Sequence, residues 1–119
     1  MAREVAKTHP DKWITTLAYH FYALPPDGFA LDPNVVIQIC LGSRALAAKG
    51  PNGQLEADER NLSAWAAESS ERPKYVWVWY IYPYGMWFQP FPAFIGNHIP
   101  QIIEEYVQAG VRGIFYEPS

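Results

Sequence analysis

Four kinds of side chain in this sequence could do chemistry. Glu117, in the closing stretch VRGIFYEPS, offers a carboxylate that can move a proton or accept hydroxyl hydrogens. His20, in LAYHFYALPP, has an ordinary pKa near neutrality and suits acid–base work or a polar contact. Arg44, in LGSR, carries a planar fork that can clamp a carboxylate on a substrate. The fourth kind is aromatic. Residues 75 to 92, YVWVWYIYPYGMWFQPFP, hold nine aromatics, three prolines and no charge. They supply large rigid surfaces with polar tips, among them Tyr80, Tyr82, Tyr84 and Trp87. Tyr19 and Tyr22 add two more beside His20.

Other chemistries find no footing. No metal-ligand spacing appears, and there is no P-loop, GxGxxG or GxSxG. No cofactor is expected. A net charge of −3 with no basic run argues against a nucleic-acid partner. Cys40, the single cysteine, lies in the apolar run VVIQICLG and reads as a small buried hydrophobe.

These groups act only if elements place them. The aromatic stretch is no membrane span: a spanning helix needs about 20 apolar residues in a row. Pro83, Gly85, Gln89 and Pro90 interrupt this one. Tyr75 to Tyr82 reads instead as a strand, dense in β-branched and aromatic residues, and Pro83 ends its pairing. Core packing is the expected role of Trp77 and Trp79 within it. Pro83 to Pro92 is then a loop, with Phe88, Phe91 and Phe94 folding back as a plug. Trp13 to Tyr22 reads as another strand, and Val35 to Leu41 as a third, apolar except for Gln38. Leu62, Trp65 and Ala66 share one face of a helix from about Leu55 to Glu68, with Asp58, Glu59, Arg60 and Glu68 polar. Ile99, Ile102, Ile103, Tyr106 and Val107 form the apolar stripe of a second helix, started by Asn97 and Pro100 and stopped by Gly110. Residues 111 to 117 read as the last strand.

The order strand, strand, helix, strand, helix, strand predicts an α/β fold of parallel β/α units with right-handed crossovers. Residues 1–12 are expected to be an N-terminal extension and 13–119 the domain. A complete (β/α)₈ barrel takes about 250 residues. This chain has 119 and stops just after the last strand. Half of such a barrel is therefore expected, with a small open α/β sheet as the alternative. Barrels place their sites at the C-terminal ends of the strands, which selects Tyr19, His20, Tyr22, Ser43, Arg44, Tyr80, Tyr82, Tyr84, Trp87 and Glu117. About eleven residues between Tyr22 and Val35 are short for a parallel crossover. Either those strands are not neighbours or a loop replaces the helix. MAREVAKTHP lacks the apolar segment of a secretory signal.

Specific words accompany this pattern: LAYHFYALPP at 17–26, DPNVVIQICLGSR at 32–44, YVWVWYIYPY at 75–84, FQPFPAF at 88–94 and AGVRGIFYEPS at 109–119. In order and spacing they resemble a domain-of-unknown-function family of glycoside-hydrolase-like (β/α)₈ barrels, distantly similar to α-glucuronidase and α-N-acetylglucosaminidase barrels. The resemblance runs from about Trp13 to Glu117 and implies the second half of the barrel. It departs from the family pattern at Val78, where relatives tend to carry an acid, and at Tyr116, which intervenes between Phe115 and Glu117.

What the resemblance implies is carbohydrate recognition, and glycoside hydrolysis in the intact protein, the segment alone being inactive. Such hydrolysis usually needs two carboxylates. Glu117 would be one; Asp27 and Asp32 are unmarked as its partner, so a partner is expected in the other half. Tyr22, Tyr82, Tyr84 and Trp87 would contact sugar, with His20 and Arg44 as polar contacts; Arg44 would suit a uronic acid. Each has a plainer alternative. Glu117 is otherwise a solvated acid near the terminus, His20 a satisfied structural histidine, Arg44 a surface loop residue and the aromatics core. Expected partners are carbohydrate and the rest of the barrel or a second copy of the chain, with no nucleic acid or membrane. A non-catalytic carbohydrate-binding or self-associating half-barrel remains the alternative function.

Overall fold

A computed structural model describes residues 1–42, 54–78 and 99–117. Within them lie α1 (Ala2–Thr8), β1 (Ile14–Ala18), β2 (Val35–Leu41), α2 (Gln54–Glu68), β3 (Lys74–Val78), α3 (Ile99–Gln108) and β4 (Val111–Tyr116). The four strands form one parallel sheet in the order β1-β2-β3-β4. The α/β class and the parallel units thus hold. Neighbours in sequence are neighbours in space, with no reversal of direction across the sheet.

One face of the sheet is the core. Ala18, Val35, Ile37, Ile39, Leu41, Val76 and Val78 are buried there against Leu62 and Trp65 of α2 and Ile102 and Tyr106 of α3. The apolar stripe of α2 is buried as expected. That of α3 is only half used: Ile102 and Tyr106 are covered, while Ile103 and Val107 are exposed. Gly110 ends α3 at a φ of +75°, a conformation an L side chain adopts at a cost. Asp58, grouped with the polar face of α2, is buried instead. No described helix lies on the opposite, open face.

The first strand is shorter than its composition predicts. Trp13 is exposed outside it, and the ladder stops at Ala18. Tyr19 is still extended, but His20 turns to a φ of +51° and begins a 3₁₀ turn over His20–Tyr22. The early exit has a topological reason. β1 and β2 are adjacent and parallel, so the chain must travel back along the sheet. Leaving at Ala18 gives the connection residues 19–34, above the dozen or so that a parallel crossover needs. A loop indeed replaces the helix. Trp65 Nε1 on α2 donates to the Ala23 carbonyl at 2.7 Å, and Leu31 packs against the core.

At its far end the loop is held by buried Arg72. Its guanidinium donates to the carbonyls of Leu31, Asp32 and Val35 and to the Glu68 carboxylate, with Nε–Oε2 at 2.9 Å. Residues 1–12, expected as an extension, include α1. Ala2 joins the core, Asn34 Nδ2 donates to the Ala2 carbonyl, and Arg3 pairs with Asp32 at 3.0 Å.

Candidate functional site

Alternation along a strand sends successive side chains to opposite faces. On β3, Lys74, Val76 and Val78 point to the helices, and Tyr75 and Trp77 to the open face. A regular continuation into β4 would pair Tyr75 with Arg112. It does not: Lys74 pairs with Val111, but Tyr75 pairs with Gly113. The extra residue is a bulge, which re-aims every side chain after it. Gly113, Phe115 and Glu117 consequently share the open face with Tyr75 and Trp77.

Gly113 suits this position because the Tyr75 ring lies on it. A Cβ there would stand 3.0 Å from Tyr75 Cδ1. One step further on, the rings of Trp77 and Phe115 meet with centroids 4.5 Å apart at 54°. Beyond them Trp77 Nε1 donates to Glu117 Oε2 at 2.9 Å, and the Glu117 amide donates to the Val78 carbonyl at 3.0 Å. The carboxylate is therefore held by two contacts to β3, and its Oε1 receives nothing from the described residues.

Cys40 lies beside Trp77 in the ladder, and the extended Tyr19 continues β1 to the level of Cys40. The C-terminal end of the open face thus carries a row Tyr19, Cys40, Trp77, Phe115, with Glu117 above it. Three strand spacings, about 14 Å, separate the ends of this row. The Cys40 thiol is half-buried rather than enclosed. Burial first, then the negative charges of Asp58 and Glu117, push its pKa up to about 11. A thiol held protonated in this way is no nucleophile.

The residues selected from sequence are dispersed in a revealing way. Tyr19 and Glu117 reach the same face and the same end. His20 stacks edge-on against Tyr19, centroids 4.0 Å apart, from an exposed position in the left-handed region. Tyr22 sits exposed on the 3₁₀ turn and does not join the row. Ser43, Arg44, Trp79, Tyr80, Tyr82, Tyr84 and Trp87, and the plug of Phe88, Phe91 and Phe94, lie outside the described residues. Of the two loop acids, Asp32 is committed to Arg3, and Asp27 stands exposed in the loop between β1 and β2.

Trp77 is the functional candidate that sequence reasoning assigned to the core. Its neighbours Val76 and Val78 are core; Trp77 is not, because it occupies the alternate face. The alternation Val76, Trp77, Val78 carried that signal. Val78, where the resemblance raised the expectation of an acid, is fully buried on the helix side. An acid there would face the core and not the row. Among the described residues no group of His, Cys, Asp and Glu could hold a metal. No described helix is long and apolar enough to cross a membrane.

A family model described as a domain of unknown function, DUF4838, matches residues 1–119. The chain belongs to the DUF4838 family. No curated protein and no solved structure matches the chain. What a DUF4838 domain does must therefore be argued from its open face.

Proposed function

We propose that this DUF4838 chain is a segment of a glycoside-hydrolase-like (β/α) barrel that recognises carbohydrate at the C-terminal ends of its strands. The observation that carries the reading is the Trp77–Phe115 ring pair with Glu117 hydrogen-bonded to Trp77 Nε1. Sugar rings present apolar C–H faces edged by hydroxyls. Aromatic rings suit the first and a carboxylate the second. The sequential parallel order supports a barrel segment, since barrels add strands in chain order and open sheets with a switch point do not.

In the intact protein Glu117 would be one of the two carboxylates of glycoside hydrolysis, the second being supplied by the rest of the barrel. Tyr19 and His20 would contact the ligand further along the row. A second reading, a non-catalytic carbohydrate-binding domain, is favoured by the row itself, on which Glu117 is the single carboxylate among the described residues.

The test is titration of the chain with an oligosaccharide panel, followed by ligand-observed NMR and tryptophan fluorescence. Binding is expected, and Trp77→Ala and Glu117→Ala should each weaken it about tenfold or more, the loss typical of a stacked ring or a charged hydrogen bond. An intact fold that ignores every sugar would refute the proposal. Turnover by the longer protein that disappears in Glu117→Gln would separate the catalytic reading from the binding one.

A further inference from the structure

Charges at the N-terminal ends of the described strands are compensated, the Glu68 carboxylate pairing with the Arg72 guanidinium. At the N-terminal ends lie Arg72, Lys74 and Arg112, the last donating to the Glu71 carbonyl. Arg3 is anchored near the same end by Asp32. At the C-terminal end the row carries the Glu117 carboxylate beside the Trp77–Phe115 ring pair. Glu117 Oε2 accepts from Trp77 Nε1, while Oε1 accepts from no described residue. A carboxylate is an acceptor only, so a ligand meeting Oε1 must bring an O–H or N–H.

Resting on the carbohydrate reading above, we infer that the Trp77–Phe115–Glu117 platform selects a neutral or amino sugar over a uronic acid. The ligand lays a C–H face on the two rings and donates a hydroxyl or ammonium hydrogen to Oε1. A uronate would bring its own carboxylate against that of Glu117. Trp77 is then a positioning residue: its N–H holds Glu117 facing the ligand, and its ring carries the sugar. This selection runs against the uronic acid that Arg44 suggested from sequence.

The experiment compares methyl β-glucoside, glucosamine and glucuronate, matched in ring stereochemistry, binding to the full 119-residue chain by ligand-observed NMR. Low salt keeps the charge contrast unscreened. The glucoside and glucosamine should bind about tenfold tighter than glucuronate, the scale of one like-charge contact near a surface. Glu117→Gln keeps an acceptor and removes the charge. It should weaken the glucoside several-fold while strengthening glucuronate, so that their ratio moves toward unity, a change that loss of folding cannot mimic. Trp77→Phe keeps a ring but frees Glu117, and should weaken the glucoside several-fold. Glucuronate binding tightest, or a ratio unmoved in Glu117→Gln, would overturn the inference and leave the carbohydrate reading standing. Absence of binding by all three sugars and by the oligosaccharide panel would overturn both.

Discussion

Gly113 and Lys74 show how single residues set the limits of the site. At Gly113 the absent side chain is a packing requirement. Gly113→Ala drives a methyl against the Tyr75 ring and should cost about 1–2 kcal/mol, read from the urea midpoint. Near-UV circular dichroism should change with it, because Tyr75 must move. Lys74 is buried with its ammonium on the carbonyls of Ser69 and Arg72. Burial, the largest cause, lowers its pKa; Glu68 opposes the shift, and Arg72 and Arg112 add to it. The folded protein therefore binds fewer protons than the unfolded chain between the lowered pKa and the ordinary 10.5. Stability from this group must rise with pH through that window. Urea unfolding from pH 7 to 10.5 should show wild type gaining on Lys74→Met as pH rises; parallel curves would contradict it. Cys40 gives a kinetic counterpart. With its thiol at about 11, labelling by iodoacetamide at pH 8 should be about two orders of magnitude slower in the folded chain than in urea.

At the scale of elements, the loop from β1 to β2 and the bulge in β4 matter most. The loop stands in for a crossover helix, so it must be tied to the body by side chains rather than by a packed apolar stripe. Trp65 ties its beginning and Arg72 its end. Arg72→Met strands three carbonyls and the Glu68 carboxylate. It should lower stability by about 3 kcal/mol, the cost of breaking a buried pair from one side. Hydrogen exchange should localise the opening to residues 23–35. The bulge does something different. Deleting Arg112 removes the bulge yet leaves Gly113 opposite Tyr75 and Glu117 on the open face, whereas deleting Tyr116 brings Glu117 opposite Val78 and turns it toward the helix side. Sugar binding should survive the first deletion and be lost in the second although the sheet persists. Retained binding in the second would place the site elsewhere.

For the whole molecule, the relevant feature is a sheet whose one face, among the described residues, is packed by helices and whose other face is not. Among the described residues β1 pairs only with β2 and β4 only with β3, and Leu17, Tyr75 and Phe115 remain exposed. Unpaired parallel edges and exposed rings invite association. Sedimentation of the isolated chain should therefore give a mass above 13.6 kDa. A well-packed monomer, with a strong near-UV signal, would argue for a complete open α/β domain and against a barrel segment.

Much of the fold was legible in the residues because periodicity is local. Val35–Leu41 declares a strand by composition alone and its bounds are met, although Gln38 and Cys40 on the second face are only partly buried. Leu62 with Trp65, and Ile102 with Tyr106, announce their helices through a 3.6-residue period, and Gly110 announces a stop because only glycine takes that φ readily. The chain order of strands and helices sufficed for parallel units. Tertiary structure alone decided the rest. β propensity could not separate Trp13–Tyr22 into a strand and a turn, since the exit at Ala18 answers to the distance back to β2. Local pattern could not bury Arg72, whose carbonyl partners Leu31, Asp32 and Val35 come from a distant segment. Nor could it orient Glu117. Counting from Phe115 leaves its face ambiguous, and the ambiguity is resolved by one unpaired residue at Arg112, because a pleated strand turns every later side chain over when its register slips by one.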